Sequence, residues 1–196
     1  MQFKNELMKT YLIIVTTLLS LTTFSQNTVI IKCDSIYKNK EIIIKLINFD
    51  DDKDGYDGEK NSILIIKQKS KPIIKDSIFS KVQKIEFADF NNDNIKDILI
   101  QNISDVRSNW TYYLYLYNPK TNTFKQVNGF EEIKNPRYNT KYNIVESYVV
   151  SGQDWVSFYK IKDNKVLDYK IEIIDDHGKN FEKDYQKAIK KIISKK

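Results

Sequence analysis

The chain has 196 residues, 41% of them hydrophobic and 13% aromatic, with 32 basic against 26 acidic side chains and a net charge of +6. That length supports one domain with a buried core. Arg107 and Arg137 are the arginines and the remaining basic residues are lysine. Bidentate recognition of phosphates and bases favours arginine, so the charge reads as a solvated lysine surface and nucleic acid is not an expected partner. Attraction to an anionic envelope polymer or an acidic protein stays open. A single histidine excludes a zinc centre built on paired histidines, and five glycines form no phosphate-cradling loop.

At the N-terminus, Lys4 and Lys9 precede an apolar run at 11–21, and Thr23-Phe24-Ser25 places small residues just before Gln26. This is the pattern of a secretory signal peptide over residues 1–25, which implies export to the periplasm or beyond. The apolar run is shorter than the roughly twenty residues a membrane span needs, and Thr and Ser interrupt it, so no span is expected after signal removal. Cys33, in IIKCD, has no second cysteine to pair with and reads as a buried strand residue.

From there to residue 174 the chain alternates short runs rich in Ile, Val, Tyr and Phe with polar turns. Strands are expected at 28–33, 41–49, 63–67, 73–79, 82–87, 97–103, 110–117, 123–127, 143–150, 155–161 and 166–174. Turns are expected at Asn118-Pro119-Lys120-Thr121-Asn122, at Ser151-Gly152-Gln153-Asp154 and at Asp163-Asn164. Such spacing predicts a mainly β fold, an antiparallel β-meander that is propeller-blade-like or a sandwich. No internal repeat is visible, and one or two blade-like meanders are expected rather than a full propeller. From Asn180 the period changes: Phe181, Tyr185, Ala188, Ile189, Ile192 and Ile193 share one helical face, with Lys183, Lys187, Lys190 and Lys191 elsewhere. A C-terminal α-helix at 180–194, with Asn180 as N-cap, should therefore pack on an open sheet face of a single domain spanning 26–196, the alternative being a membrane-surface or partner helix.

The most informative stretch is 88–100, ADFNNDNIKDILI. Counting Asp89 as position 1 puts Asp89, Asn91 and Asp93 at positions 1, 3 and 5, the Ile95 carbonyl at 7 and Asp97 at 9. Alternate residues of a tight loop point inward, so this spacing forms an oxygen-rich anionic cage suited to a hard cation such as Ca²⁺. Position 6, where the loop must turn, carries Asn94, the non-glycine residue that best tolerates positive φ. Ile100 stands where an EF-hand has its bidentate Glu, so the loop feeds a strand and not a helix. Preceded by Ile85-Glu86-Phe87, this motif resembles the calcium loop of FG-GAP/VCBS-type repeats of propeller-like and secreted bacterial proteins. The segments at 111–124 and 142–169 are similar to a smaller group of periplasmic proteins carrying one such loop, among them lysozyme inhibitors and immunity proteins. The resemblance spans about residues 80–175. It implies a structural Ca²⁺ on Asp89, Asn91, Asp93, Ile95 and Asp97, and a cell-wall hydrolase as protein partner.

Two further candidates are weaker. Asp50, Asp52, Asp54 and Gly55 match positions 1, 3, 5 and 6 of a calcium loop, but Gly58 stands at position 9. They mark either a second metal site or a charged hairpin. In the strand at 110–117, Trp110, Tyr112, Leu114 and Leu116 share one face and read as core. Thr111, Tyr113, Tyr115 and Tyr117 share the other, where Tyr113, Tyr115 and Tyr117 form either a binding stripe for an envelope polysaccharide or a partner, or cross-strand packing under a neighbouring sheet. No nucleophile motif accompanies His177 and no carboxylate pair stands out, so no catalytic residue is assigned. The sequence thus reads as an exported, non-enzymatic calcium-binding recognition protein. An adhesion module is the alternative, and a small hydrolase a more distant one.

Overall fold

A computed structural model describes residues 27–49, 59–175, 178 and 180–194. The expected signal peptide, the acidic cluster Asp50, Asp52 and Asp54, and His177 fall outside the described residues. Twelve described strands form three four-stranded antiparallel sheets, each a meander in chain order. The first holds β1 (Thr28–Lys32), β2 (Ile42–Asn48), β3 (Ser62–Gln68) and β4 (Lys71–Ile78). The second holds β5 (Ile85–Ala88), β6 (Asp97–Ser104), β7 (Trp110–Asn118) and β8 (Thr123–Gln126). The third holds β9 (Pro136–Asn139), β10 (Ile144–Val149), β11 (Asp154–Lys162) and β12 (Lys165–Asp175). Helix α1 (Phe181–Ile193) follows.

The architecture is the expected mainly β fold of antiparallel meanders with a C-terminal helix, but with three stacked meanders where the sequence suggested one or two. The extra strand is β9, with the sequence PRYN. A proline at the start of a short run argues against a central strand, yet β9 is an edge strand, where the missing N–H costs no ladder bond. Its partner β10 pairs Ile144 with Asn139 and Ser147 with Pro136.

Three apolar interfaces stack the layers. Between the first and second sheets, Ile42, Ile44, Leu46, Leu64 and Ile66 meet Ile98, Ile100, Tyr115, Tyr117 and Phe124. Between the second and third, Leu99, Leu114, Val127, Phe130 and Ile133 meet Val145, with Tyr138, Tyr159 and Ile161 packed alongside. Between the third sheet and the helix, Ile144, Val156, Phe158 and Ile173 meet Ala188, Ile189 and Ile192. The middle sheet is covered on both faces, and the first six residues of β6 are all buried. This explains why β6 reads as a continuous apolar run, whereas β2, covered on one face, alternates strictly between buried and half-buried. Each fully buried Ile or Leu contributes on the order of 1.5–3 kcal/mol.

Two hairpin turns run through left-handed backbone at both central residues: Lys69-Ser70 (φ 47° and 66°) and Asp163-Asn164 (φ 52° and 57°). That is the geometry whose twist matches the flanking strands. Asn180 stands at the helix N-cap but its side chain makes no capping bond; the Asn180 carbonyl instead accepts the Asp184 N–H at 2.9 Å. Among the described residues no helix is long and apolar enough to cross a membrane.

Candidate functional site

The loop joining β5 to β6 is built by its own side chains. Asp89 Oδ1 accepts the N–H groups of Asn91 (3.0 Å) and Asn92 (2.6 Å), and its Oδ2 accepts that of Asn94 at 2.8 Å. Asn91 Oδ1 accepts the Asp93 N–H at 3.1 Å and Asp93 Oδ1 that of Ile95 at 2.8 Å. These local side-chain bonds are what Asn and Asp contribute to turns. They hold Asn92 and Asn94 at φ 63°, so position 6 of the loop has the positive φ for which Asn94 was singled out.

Asp97 closes the loop from below. It is fully buried, its Oδ2 accepting the Phe90 N–H at 2.9 Å and its Oδ1 the Tyr117 N–H at 3.0 Å. One carboxylate thereby ties the start of the loop to the end of β7. Burial pushes its pKa up to about 7; the two N–H bonds work against the rise, and the charges of Asp93 and Asp89 add to it. Among the described residues no Lys or Arg forms an ion pair with Asp89, Asp93 or Asp97.

The donor set suits a hard cation in kind: three carboxylates, one amide oxygen and the Ile95 carbonyl within nine residues, with no ion pair among the described residues to balance them. The side chains are not drawn into a cage. Among the described residues no group of three His, Cys, Asp or Glu side chains is assembled around a common point. Asn91 also turns its Nδ2 toward Asp93 Oδ2 at 3.0 Å. The backbone thus has the required turn, while the oxygens are spent on the loop's own N–H groups.

The tyrosine row of β7 is not an open stripe. Tyr115 is fully buried and Tyr117 nearly so, and Tyr113 packs partly buried against the same interface. The first sheet lies directly over them, which corrects the binding-surface reading of Tyr113, Tyr115 and Tyr117 in favour of packing between sheets. Their hydroxyls are used internally: Tyr115 donates to Asp76 Oδ2 on β4 at 3.0 Å and Tyr117 to Asn122 Oδ1 at 3.0 Å. Tyr117 stacks with Tyr37 and Phe124, ring centroids 4.8 Å away in each case, and Tyr37 donates to the Lys96 carbonyl at 2.8 Å. Of the two readings of the row, packing holds, and Tyr117 lies under the Asp-rich loop.

A polar node that sequence reasoning missed joins the second and third sheets. Asn109 is buried; its Nδ2 donates to Asp105 and to the Val150 carbonyl (2.8 Å), and its Oδ1 accepts from Val150 N and Asn135 Nδ2. Asn135 in turn accepts the Trp110 N–H at 2.8 Å and donates to the Tyr148 carbonyl at 2.9 Å. No local pattern marks these asparagines, because their partners lie up to 41 residues away.

At the loop's own edge, an open cleft of about 650 Å³ runs between the Asp-rich loop and the turns at 118–122 and 163–164, with Lys120, Lys125 and Lys160 along it. No family model matches the chain, and no curated protein matches it. Among solved structures it is similar to a Xanthomonas Type IV secretion system related protein, at 13% identity and a TM-score of 0.45, over 74% of this chain and 80% of that one.

Proposed function

We propose that this is an exported calcium-binding recognition protein that inhibits, or confers immunity against, a peptidoglycan-degrading enzyme in the periplasm or outside the cell. The observation that carries the metal half of this reading is Asp97, a fully buried carboxylate with two further acids beside it and no cationic partner among the described residues. Buried charges are normally paired or bound to a metal. Asp89, Asn91, Asp93, the Ile95 carbonyl and Asp97 would hold the ion. When bound, Ca²⁺ supplies the positive charge that crowded carboxylates lack and couples its own binding to the stability of the loop.

The recognition half is supported by what surrounds that loop. The lysines of the neighbouring cleft offer cations to a partner, and enzymes that hydrolyse glycosidic bonds carry paired carboxylates at their catalytic centre. A cleft whose acidic edge is held by an ion and by packing would present those lysines with little ordering cost on binding. The test is a titration of peptidoglycan hydrolysis with the purified protein, together with co-purification from the native envelope. Loss of turnover at near-stoichiometric ratio, with the hydrolase recovered as partner, supports the reading. Undiminished turnover for every envelope hydrolase tried, or release of product by the protein itself, overturns it.

A further inference from the structure

A second cleft, of about 710 Å³, opens between α1 and the outer face of the third sheet, a volume within the range of small-molecule sites. Val156 lines it, Phe181, Tyr185 and Tyr148 bring aromatic rings, and Arg137 and Glu146 bring charges of opposite sign. Arg137 on β9 and Glu146 on β10 are directly opposite in the antiparallel register. At that spacing a cross-strand ion pair is the ordinary outcome. It does not form here, for no ion pair joins them among the described residues. Glu146 Oε1 is instead taken by the Tyr185 hydroxyl at 2.6 Å and by Asn139 Nδ2 at 2.7 Å. The carboxylate is thereby fixed by one helix and one strand, and the exposed Arg137 stays available beside it.

We propose that this cleft is a saccharide-binding site. A guanidinium only donates hydrogen bonds and a carboxylate only accepts them. Two such groups on facing strand positions that line one cleft without pairing complement vicinal hydroxyls, each of which both donates and accepts. A second carboxylate in the cleft, Glu182, already accepts from Gln186 at 2.7 Å, and with Glu146 it leaves the walls acidic overall. That balance disfavours an anionic ligand and suits a neutral polyol. The aromatic walls supply flat apolar faces of the kind that cover the C–H face of a pyranose ring. None of these residues is a candidate calcium ligand or a lysine of the cleft beside the loop; Arg137 also lines a smaller cleft with Asp89, so the calcium-dependent melting of Arg137→Ala is the control that keeps the two readings apart.

The test is a titration of the isotope-labelled protein with chitotriose, cellotriose and maltotriose, followed by amide chemical shifts. The expected result is a saturable shift at millimolar ligand, confined to β9, β10 and α1, with at least one of the three; which one responds separates an N-acetylated from a plain glucan. Arg137→Ala, at an exposed edge position, and Glu146→Gln, which keeps an oxygen for Tyr185 and Asn139, should each weaken binding about tenfold, the loss of roughly one charge-assisted hydrogen bond. Their melting temperatures should stay near that of the unmutated protein. No shift with any trisaccharide, or binding unchanged by Arg137→Ala, overturns the proposal. Inhibition of a hydrolase that persists in Arg137→Ala leaves the enzyme-partner reading intact, so the two readings fail separately.

Discussion

Asp97 and Asp105 show how opposite surroundings set one side-chain type to opposite ends of its range. Asp97 has burial, two neighbouring acids and two N–H bonds, and burial wins. For Asp105 burial alone would also raise the pKa. The Asn109 N–H and amide, the Lys134 ammonium and the Arg107 N–H together outweigh it and hold the carboxyl well below the usual carboxylate range. A folded-state pKa below the unfolded value of about 3.9 means that stability is fully present above that pH and lost as pH falls below it. Acid titration of the unfolding free energy should therefore show a steeper loss below about pH 4 in the unmutated protein than in Asn109→Ala, which removes one of those donors. Parallel curves would show that the node does not hold Asp105 ionised. At neutral pH Asn109→Ala should also cost about 2–3 kcal/mol, since it strands the Val150 N–H and carbonyl and the Asn135 amide; denaturant midpoints measure it. The loop residues give a second prediction at this scale. With calcium at about 100 times its dissociation constant the gain is about 2.7 kcal/mol. That is roughly 5–10 °C in Tm for a chain of this size. Asp89→Ala and Asp93→Ala should abolish the calcium-dependent rise, and identical melting of the unmutated protein in calcium and in chelator would refute the metal site.

Among the elements, β7 and α1 are the informative pair. The alternation in β7 sorted its side chains into two sets correctly, with Leu114 facing the third sheet and Tyr115 the first. Alternation in a strand tells which residues share a face, and not what covers that face. The tyrosines were ambiguous for that reason, and the first sheet decided the matter by packing over them. Tyr115→Phe should cost about 1 kcal/mol by removing the bond to Asp76, far less than Tyr115→Ala, which opens a cavity and should cost about 3–5 kcal/mol. Equal effects of the two substitutions would show that the hydroxyl, and not the ring, carries the interaction. The helix was legible because its period is long and clean. Of the six residues the helical period placed on one face, Ala188, Ile189 and Ile192 are buried and Phe181 and Tyr185 half-buried, whereas Ile193 is exposed; Ile189→Ala should cost about 2–5 kcal/mol.

At the scale of the whole molecule, three meanders and a helix form a stack in which, among the described residues, only the middle sheet is covered on both faces by other sheets. Stability should follow that order. Amide hydrogen exchange is expected to be slowest in β6 and β7 and fastest in β1, an edge strand with Ile30 and both its ends exposed. Uniform protection across the three sheets would mean that the stack opens only as a whole.

What the sequence determined by itself was local. The strand runs, the turn at Asp163-Asn164, the C-terminal helix and the unusual backbone at Asn94 all follow from φ preference and side-chain period, which neighbouring residues set. The tertiary structure decided whatever depends on partners distant in the chain. It made Tyr115 and Tyr117 core, made β9 a strand despite its proline, joined Asn109 to Val150 across 41 residues, and set Arg137 beside a Glu146 already claimed by the helix. The physical reason is that burial and hydrogen-bond satisfaction are properties of a packed surface. A residue's own neighbours in sequence specify which face it occupies, while the element that closes over that face is fixed only when the layers meet.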